Sequence, residues 1–327
     1  MKTGDNCVTL VPSVFPMIDF HRKMLADEVR NAAFTEALRR AVKPGESVVA
    51  DIGAGTGYLG FVASKLGAKE CHLYEVGDVW SVGKRIVEKS GITNCRFIHR
   101  HSTLVKNPVQ ADIVVSETLG NYALEERILE TMDDARQRFL KPGGTLIPAR
   151  LTQFCCPIVS DRLVREIDTW GAVGMGLDFS PARAVAFHNA YVRTVQAADL
   201  LQGEGAVQQL DAVDFSEPNN NRRELSAQWK LAADATVHGI AVWWEAELAP
   251  GITLSTSPYG KPTHWEQIAL FFPKPLAAKA GDALLLHFTS DTTLKAGMNL
   301  TWQCTLFREG KKKDASPMMD MRKGFLA

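Results

Sequence analysis

The chain has 327 residues, enough for two domains at roughly 100–200 residues each. With 46% hydrophobic and 23% charged residues it has the composition of a soluble globular protein with a real core, which excludes a disordered or low-complexity chain. Lys plus Arg equals Asp plus Glu at 37 each, so no global field calls for nucleic acid or an anionic membrane, and no apolar run reaches the roughly 18 residues of a membrane span.

The first residues, MKTGDNCVTLVPSVFP, hold an early Lys, an Asp and prolines, without the apolar run and cleavage site of a signal peptide. The six cysteines form no CxxC pair and no metal-like cluster, and they read as free thiols in a reducing cytosol. His99 and His101 would share a face on a strand, but two histidines without further ligands make no metal site, so no metal is expected.

Phe20–Arg40 has the composition of a helix, stopped by the turn signal Pro44-Gly45. Ser47–Ile52 is a short β-branched run, as in a parallel strand buried on both faces. A glycine turn follows, then a helix at Tyr58–Leu66, a strand at Glu70–Val76, a helix at Val79–Ser90, and strands at Cys95–His99 and Ala111–Ser116. Strands alternating with helices predict an α/β, doubly wound parallel sheet over residues 1–150.

After Lys141-Pro142-Gly143-Gly144 the texture changes, and residues 151–327 read as an all-β domain, a sandwich or a barrel. Its predicted strands are Leu151–Val159, Gly239–Leu248, Glu266–Phe272, Ala283–Thr289 and Asn299–Arg308. Asp161–Gln202 interrupts them with helical sequence and reads as an inserted arm, Asn219–Asn221 as a loop, and Lys311–Lys313 as a solvated end.

Asp51-Ile52-Gly53-Ala54-Gly55-Thr56-Gly57 lies between the first strand and its helix, where glycines let the backbone approach a ligand. Glu75 ends the second strand, where a carboxylate can accept both ribose hydroxyls. A nicotinamide cofactor and S-adenosylmethionine would both use this arrangement, and glycines serving a tight turn alone are the plain alternative. The spacing GxGxG, in place of the GxGxxG that seats a pyrophosphate, favours S-adenosylmethionine, which has no phosphate to cradle.

Glu117 ends the fourth strand, facing the ligand crevice, and Glu126 stands nine residues on. On one helix, nine steps of about 100° put the two side chains on opposite faces. On one strand they would be about 30 Å apart. They meet only if the segment folds back, and Gly120-Asn121 is a place to bend; otherwise Glu117 is a structural acceptor and Glu126 a solvated residue. Two converging carboxylates suit guanidinium, a planar cation with a rigid fork of donors. Deprotonating it first, against a gap of roughly six pKa units, would cost on the order of 8 kcal/mol. Holding the cation and aiming one nitrogen at a sulfonium methyl avoids that cost.

Four blocks resemble the protein arginine N-methyltransferase family: His21-Arg22-Lys23-Met24-Leu25-Ala26-Asp27-Glu28-Val29-Arg30, Asp51–Gly57 with Glu75, Ser116-Glu117 through Glu126, and Thr263-His264-Trp265. The resemblance implies an S-adenosylmethionine domain, a β-barrel, and a helical arm at 161–202 that docks on a second subunit, giving a homodimer or higher ring. It implies that Arg30 meets the cofactor carboxylate, that His21 and Met24 line the transfer site, and that Gly53 and Glu75 bind the methionine part and ribose. Ser102 and Thr103 fall where the family contacts adenine, Glu117 and Glu126 would clamp the guanidinium, and His264 with Asp27 would act as proton acceptor or structural link. The family's Y-F-x-x-Y segment is replaced by Val11–Phe15, and Thr118-Leu119 replaces its Trp-Met. The expected acceptor is therefore an arginine in a protein or free L-arginine; a catalytically idle, cofactor-binding partner subunit is the alternative.

Overall fold

The computed structural model describes residues 17–203 and 205–324, so Cys7 and the Val11–Phe15 segment lie outside the described residues. The stretch expected as one helix is two, α1 (Met17–Leu25) and α2 (Glu28–Ala41). Asp27 makes the break: its Oδ1 accepts the Arg30 N–H at 2.9 Å as the N-cap of α2. Helix composition on both sides hides such a cap, whose side chain competes for the backbone.

Five strands then form a parallel sheet: β1 (Val48–Ile52), β2 (Glu70–Glu75), β3 (Cys95–His99), β4 (Ala111–Ser116) and β5 (Leu140–Ile147), in the order β3-β2-β1-β4-β5. Helices α3 (Tyr58–Lys65), α4 (Trp80–Ser90) and α5 (Ile128–Arg138) connect them. Strand order reverses between β1 and β4, and the crevice at their C-terminal ends is where such sheets bind ligands. The Lys141–Gly144 stretch, expected to close the domain, lies inside β5; as an edge strand β5 tolerates Pro142, with its register shifted between Ala111 and Ile113.

The second half holds two antiparallel sheets. One contains β6 (Arg150–Ile158), β7 (Ala190–Arg193), β8 (Gln208–Asp214), β10 (Ala235–Ala249), β11 (Ile252–Ser255) and β12 (Gln267–Ala278). The other contains β9 (Arg222–Lys230), β13 (Ala283–Asp291), β14 (Asn299–Arg308), β15 (Lys311–Ala315) and β16 (Met319–Asp320). They share one core: the Trp302 indole on β14 donates to the Phe271 carbonyl on β12 at 3.3 Å, and Arg223 on β9 pairs with Asp211 on β8 at 2.5 Å. Lys311–Lys313, expected as a solvated end, is the start of edge strand β15 and is exposed there.

The insertion is helical over α6 (Arg162–Ile167) and α7 (Ser180–Ala186), but its last part is not: Ala190–Arg193 returns as β7 and pairs with β12. Between α6 and α7 the arm presents Val173, Met175 and Leu177 to solvent, Met175 at 93% exposure. Among the described residues no helix is long and apolar enough to cross a membrane, and no cluster of His, Cys, Asp and Glu has the arrangement to hold a metal ion.

Candidate active site

A cavity of about 390 Å³ opens at the C-terminal ends of β1, β2 and β4, and α1 and the Thr263–Trp265 loop form its other walls. Its floor is the turn after β1. Gly53 and Gly55 adopt φ of 72° and 55°, which L side chains rarely take. A Cβ at Gly53 would come within 2.6 Å of Thr118 Cγ2, and one at Gly55 within 2.8 Å of His21 Cε1. Asp51 is buried beneath, its Oδ2 accepting the Gly60 N–H at 2.8 Å; burial pushes its carboxyl up to about 7. Glu75 is oriented by the backbone, accepting the Gly55 N–H at 2.7 Å on one oxygen and the Gly77 N–H at 2.5 Å on the other.

The chemistry of this half fits a nucleoside linked to a charged amino acid. His21 Nδ1 is buried at the wall with no protein partner, which is what a ligand-facing polar atom looks like in a structure without ligand. Burial lowers the affinity of His21 for a proton, so the ring is neutral at physiological pH. Met24 and Ser102 also line the cavity, with Arg30 as its buried cation. Two expected contacts are corrected. Thr103 faces solvent and accepts or donates to His101 Nδ1 at 2.8 Å, while Arg100 and His101 line the wall instead. Gly57 lies below the lining as the left-handed N-cap of α3, φ 91°, where a Cβ would strike Phe61 and Phe97.

Glu117 and Glu126 both line this same cavity, because the chain between them bends at Asn121-Tyr122 and turns over Ala123–Glu126. Glu117 is not free: its Oε2 accepts Arg30 Nε at 2.8 Å and Nη2 at 2.5 Å, with both side chains buried. Its Oε1 has only the Leu119 N–H at 3.4 Å and remains available. Arg30, expected to serve a cofactor carboxylate, thus also anchors the first glutamate. Glu126 is exposed to the open cavity, and the protein crowded behind it, then Glu117 and Glu125, pushes its carboxyl up to about 7.

His264 lines the cavity, and its Nδ1 lies 2.8 Å from Asp27 Oδ2, which also accepts the His264 N–H at 2.9 Å. Burial acts to raise the Asp27 carboxyl, but the His264 and Arg30 hydrogen bonds outweigh it and hold it below its ordinary value. Sequence reasoning missed the residues that hold the glutamate loop. The Trp244 indole donates to the Gly120 carbonyl at 3.1 Å, the Trp265 indole to the Leu119 carbonyl at 2.6 Å, and Asn121 Nδ2 to the Trp265 carbonyl at 2.6 Å. Trp265 stands in a recognised block and Asn121 at the expected bend, though not as a tie to the second domain, and nothing local marks Trp244.

A parallel sheet with a glycine turn after β1 and a cavity-lining carboxylate at the end of β2 is the architecture of nucleoside-cofactor enzymes, and comparison with known proteins narrows it to methyltransferases. Residues 150–303 match the arginine methyltransferase oligomerization subdomain, and residues 33–153 match ribosomal protein L11 methyltransferase. Protein arginine N-methyltransferase 6 of Xenopus laevis is 30% identical over 292 residues, spanning 85% of this chain and 84% of the relative. A Trypanosoma brucei structure described as a PRMT1 enzyme-prozyme heterotetrameric complex with AdoHcy superposes with a TM-score of 0.80 at 25% identity, covering 92% of this chain and 96% of that one. Protein arginine methyltransferase 10 of Arabidopsis thaliana shares the fold, with a TM-score of 0.78 at 19% identity over 93% of this chain and 98% of that one. The chain belongs to the protein arginine N-methyltransferase family.

Proposed function

We propose that this S-adenosylmethionine-dependent arginine N-methyltransferase takes as its acceptor an arginine side chain within a protein and works as a homodimer or higher oligomer. One observation carries the reading: two carboxylates, Glu117 and Glu126, open onto the cavity that also holds the glycine turn and Glu75. The donor supplies an electrophilic sulfonium methyl; Gly53, Gly55, Glu75, His21, Met24, Arg30 and Ser102 are placed to hold it, above Asp51. Glu117, braced by Arg30, offers Oε1 to the guanidinium, and Glu126 offers the second carboxylate. Both draw positive charge toward the nitrogens they bind, which leaves the third nitrogen richer in electron density and aimed by the rigid fork. Once the methylated nitrogen must shed its proton, Glu126, whose carboxyl its surroundings and Glu117 raise, is the better proton acceptor of the pair. Asp27 fixes His264, and through the adjoining Trp265 the pair steadies the glutamate loop.

The relatives above are named for action on protein arginine, which supports that acceptor over free L-arginine. Full retention of both clamp glutamates and the glycine turn speaks against an idle partner subunit. The oligomer rests on the matched oligomerization subdomain and on the apolar tip around Met175. We place the protein in a reducing compartment such as the cytosol, where buried Cys71, Cys95, Cys155, Cys156 and Cys304 stay as thiols. The test is mass spectrometry of the purified protein with labelled donor, offered Arg/Gly-rich peptides, histone tails and free L-arginine together. Label on peptide arginine supports the reading; label on L-arginine alone, or none at all, contradicts it.

A further inference from the structure

The loop from Glu117 to Glu126 must reverse direction within nine residues, and its middle is held from the second domain. The first half is tied to the second domain through Trp244, Trp265 and Asn121. In the second half Tyr122 is buried against that domain as well, its ring beside Phe288 and its hydroxyl accepting Gln153 Nε2 at 3.4 Å, before the chain enters α5 through buried Ile128 and Leu129. One side chain joins the halves. Glu125 Oε1 accepts the Asn121 N–H at 2.8 Å, and its own N–H donates to the Tyr122 carbonyl at 2.9 Å.

Gly120 records the same contact from the other side. Its φ lies outside the left-handed region, so its backbone does not require glycine. A Cβ there would nonetheless fall 2.0 Å from Glu125 Cγ and 2.4 Å from Cδ. Glycine is needed at 120 because the Glu125 side chain lies across it.

We infer that Glu125 is a positioning residue: its carboxylate clips the loop shut across Gly120 and so aims the neighbouring Glu126 into the cavity. It touches neither acceptor nor donor. A charged acceptor on a partly buried N–H makes a stronger tie than a neutral one. Losing it leaves the Asn121 amide unpaired where water is scarce and lets Glu126 swing. This inference rests on the proposed transfer reaction, so its test carries one readout that does not need that reaction.

The experiment compares Glu125→Ala, Glu125→Gln, Gly120→Ala and the double Gly120→Ala/Glu125→Ala, measuring kcat, donor Kd and hydrogen exchange at the Asn121 amide. Glu125→Ala and Gly120→Ala should each lower kcat about tenfold by releasing the clip, with donor Kd within about twofold. The double variant should be no worse than the poorer single, because truncating Glu125 makes room for the new methyl. Glu125→Gln, which keeps a carbonyl oxygen for Asn121, should restore most of the loss. Asn121 exchange should quicken in both alanine variants and stay slow in the glutamine variant. Losses that multiply in the double variant, glutamine no better than alanine, or unchanged Asn121 exchange in Glu125→Ala would each overturn the clip. If the wild type transfers no methyl, the functional reading fails, while the exchange data still decide the clip.

Discussion

The donor half of the cavity is held together by near neighbours: Asp51 to the Gly60 N–H, and Glu75 to the N–H groups of Gly55 and Gly77, across 9, 20 and 2 residues. The acceptor half is held by distant ones: Trp244 to Gly120, Trp265 to Leu119 and His264 to Asp27, across 124, 146 and 237 residues. The donor half is therefore a property of βα units and forms with the sheet. The acceptor half exists only when the second domain is docked, so the clamp and the domain interface are one structure. Arg30 is the link between the halves, a buried cation of α2 paired with the carboxylate that follows β4.

The sharpest way to break that division is to damage one half and read the other. Gly55→Val adds a branched side chain at φ 55° against His21, and donor affinity should fall by more than about 100-fold with the fold retained. Isothermal titration with circular dichroism checks it; near-normal donor binding would mean the turn does not seat the donor. Trp265→Phe should do the converse. It removes the indole donor to the Leu119 carbonyl while keeping the aromatic ring, so kcat should drop roughly tenfold with donor Kd unchanged. Equal losses in both constants would show the halves to be coupled more tightly than their bonding implies.

A smaller effect separates them by pH. The Glu126 carboxyl stands at about 7 in the folded chain against an ordinary 4.5, so between those values the folded state binds the extra proton. Stability is then lost as pH rises through that window. Solvent in the open cavity screens much of that cost, so Glu126→Gln, which removes the charge, should exceed the wild-type Tm by only about a degree at pH 8 and converge with it near pH 5. A constant difference at both pH values would remove ionisation of Glu126 as the cause.

What the sequence made legible follows the same division. The central strands β1 and β4 are mostly apolar runs, and Cys95–His99 and Ala111–Ser116 have the bounds expected of them, whereas β5, reading LKPGGTLI, hides behind a turn signal. The turn after β1 is contiguous, so Gly53 and Gly55, which line the cavity, could be read directly, whereas Gly57 lies below the lining and Thr103 is rotated outward by a 3-10 turn at Ser102–Leu104. Strand β9, reading RRELSAQWK, escapes sequence reasoning because its short alternation Leu225, Ala227, Trp229 is set behind two arginines and a glutamate. Asp27 lies inside an expected helix and is paired with His264 only through the family resemblance, while nothing singles out Trp244 or Glu125. Each takes its role from a partner that only the folded chain brings near, or, for Glu125, from a loop reversal that the distant tryptophans impose.

The central claim is that Glu117 and Glu126 together grip one guanidinium beside the methyl donor. It is tested most directly by single-turnover methyl transfer to an Arg/Gly-rich peptide in wild type, Glu117→Gln and Glu126→Gln, with donor binding measured in parallel. The account predicts that Glu126→Gln retains donor affinity within about threefold while transfer falls by on the order of a thousandfold, with Glu117→Gln losing at least as much. Transfer within about twofold of wild type in either variant would contradict it.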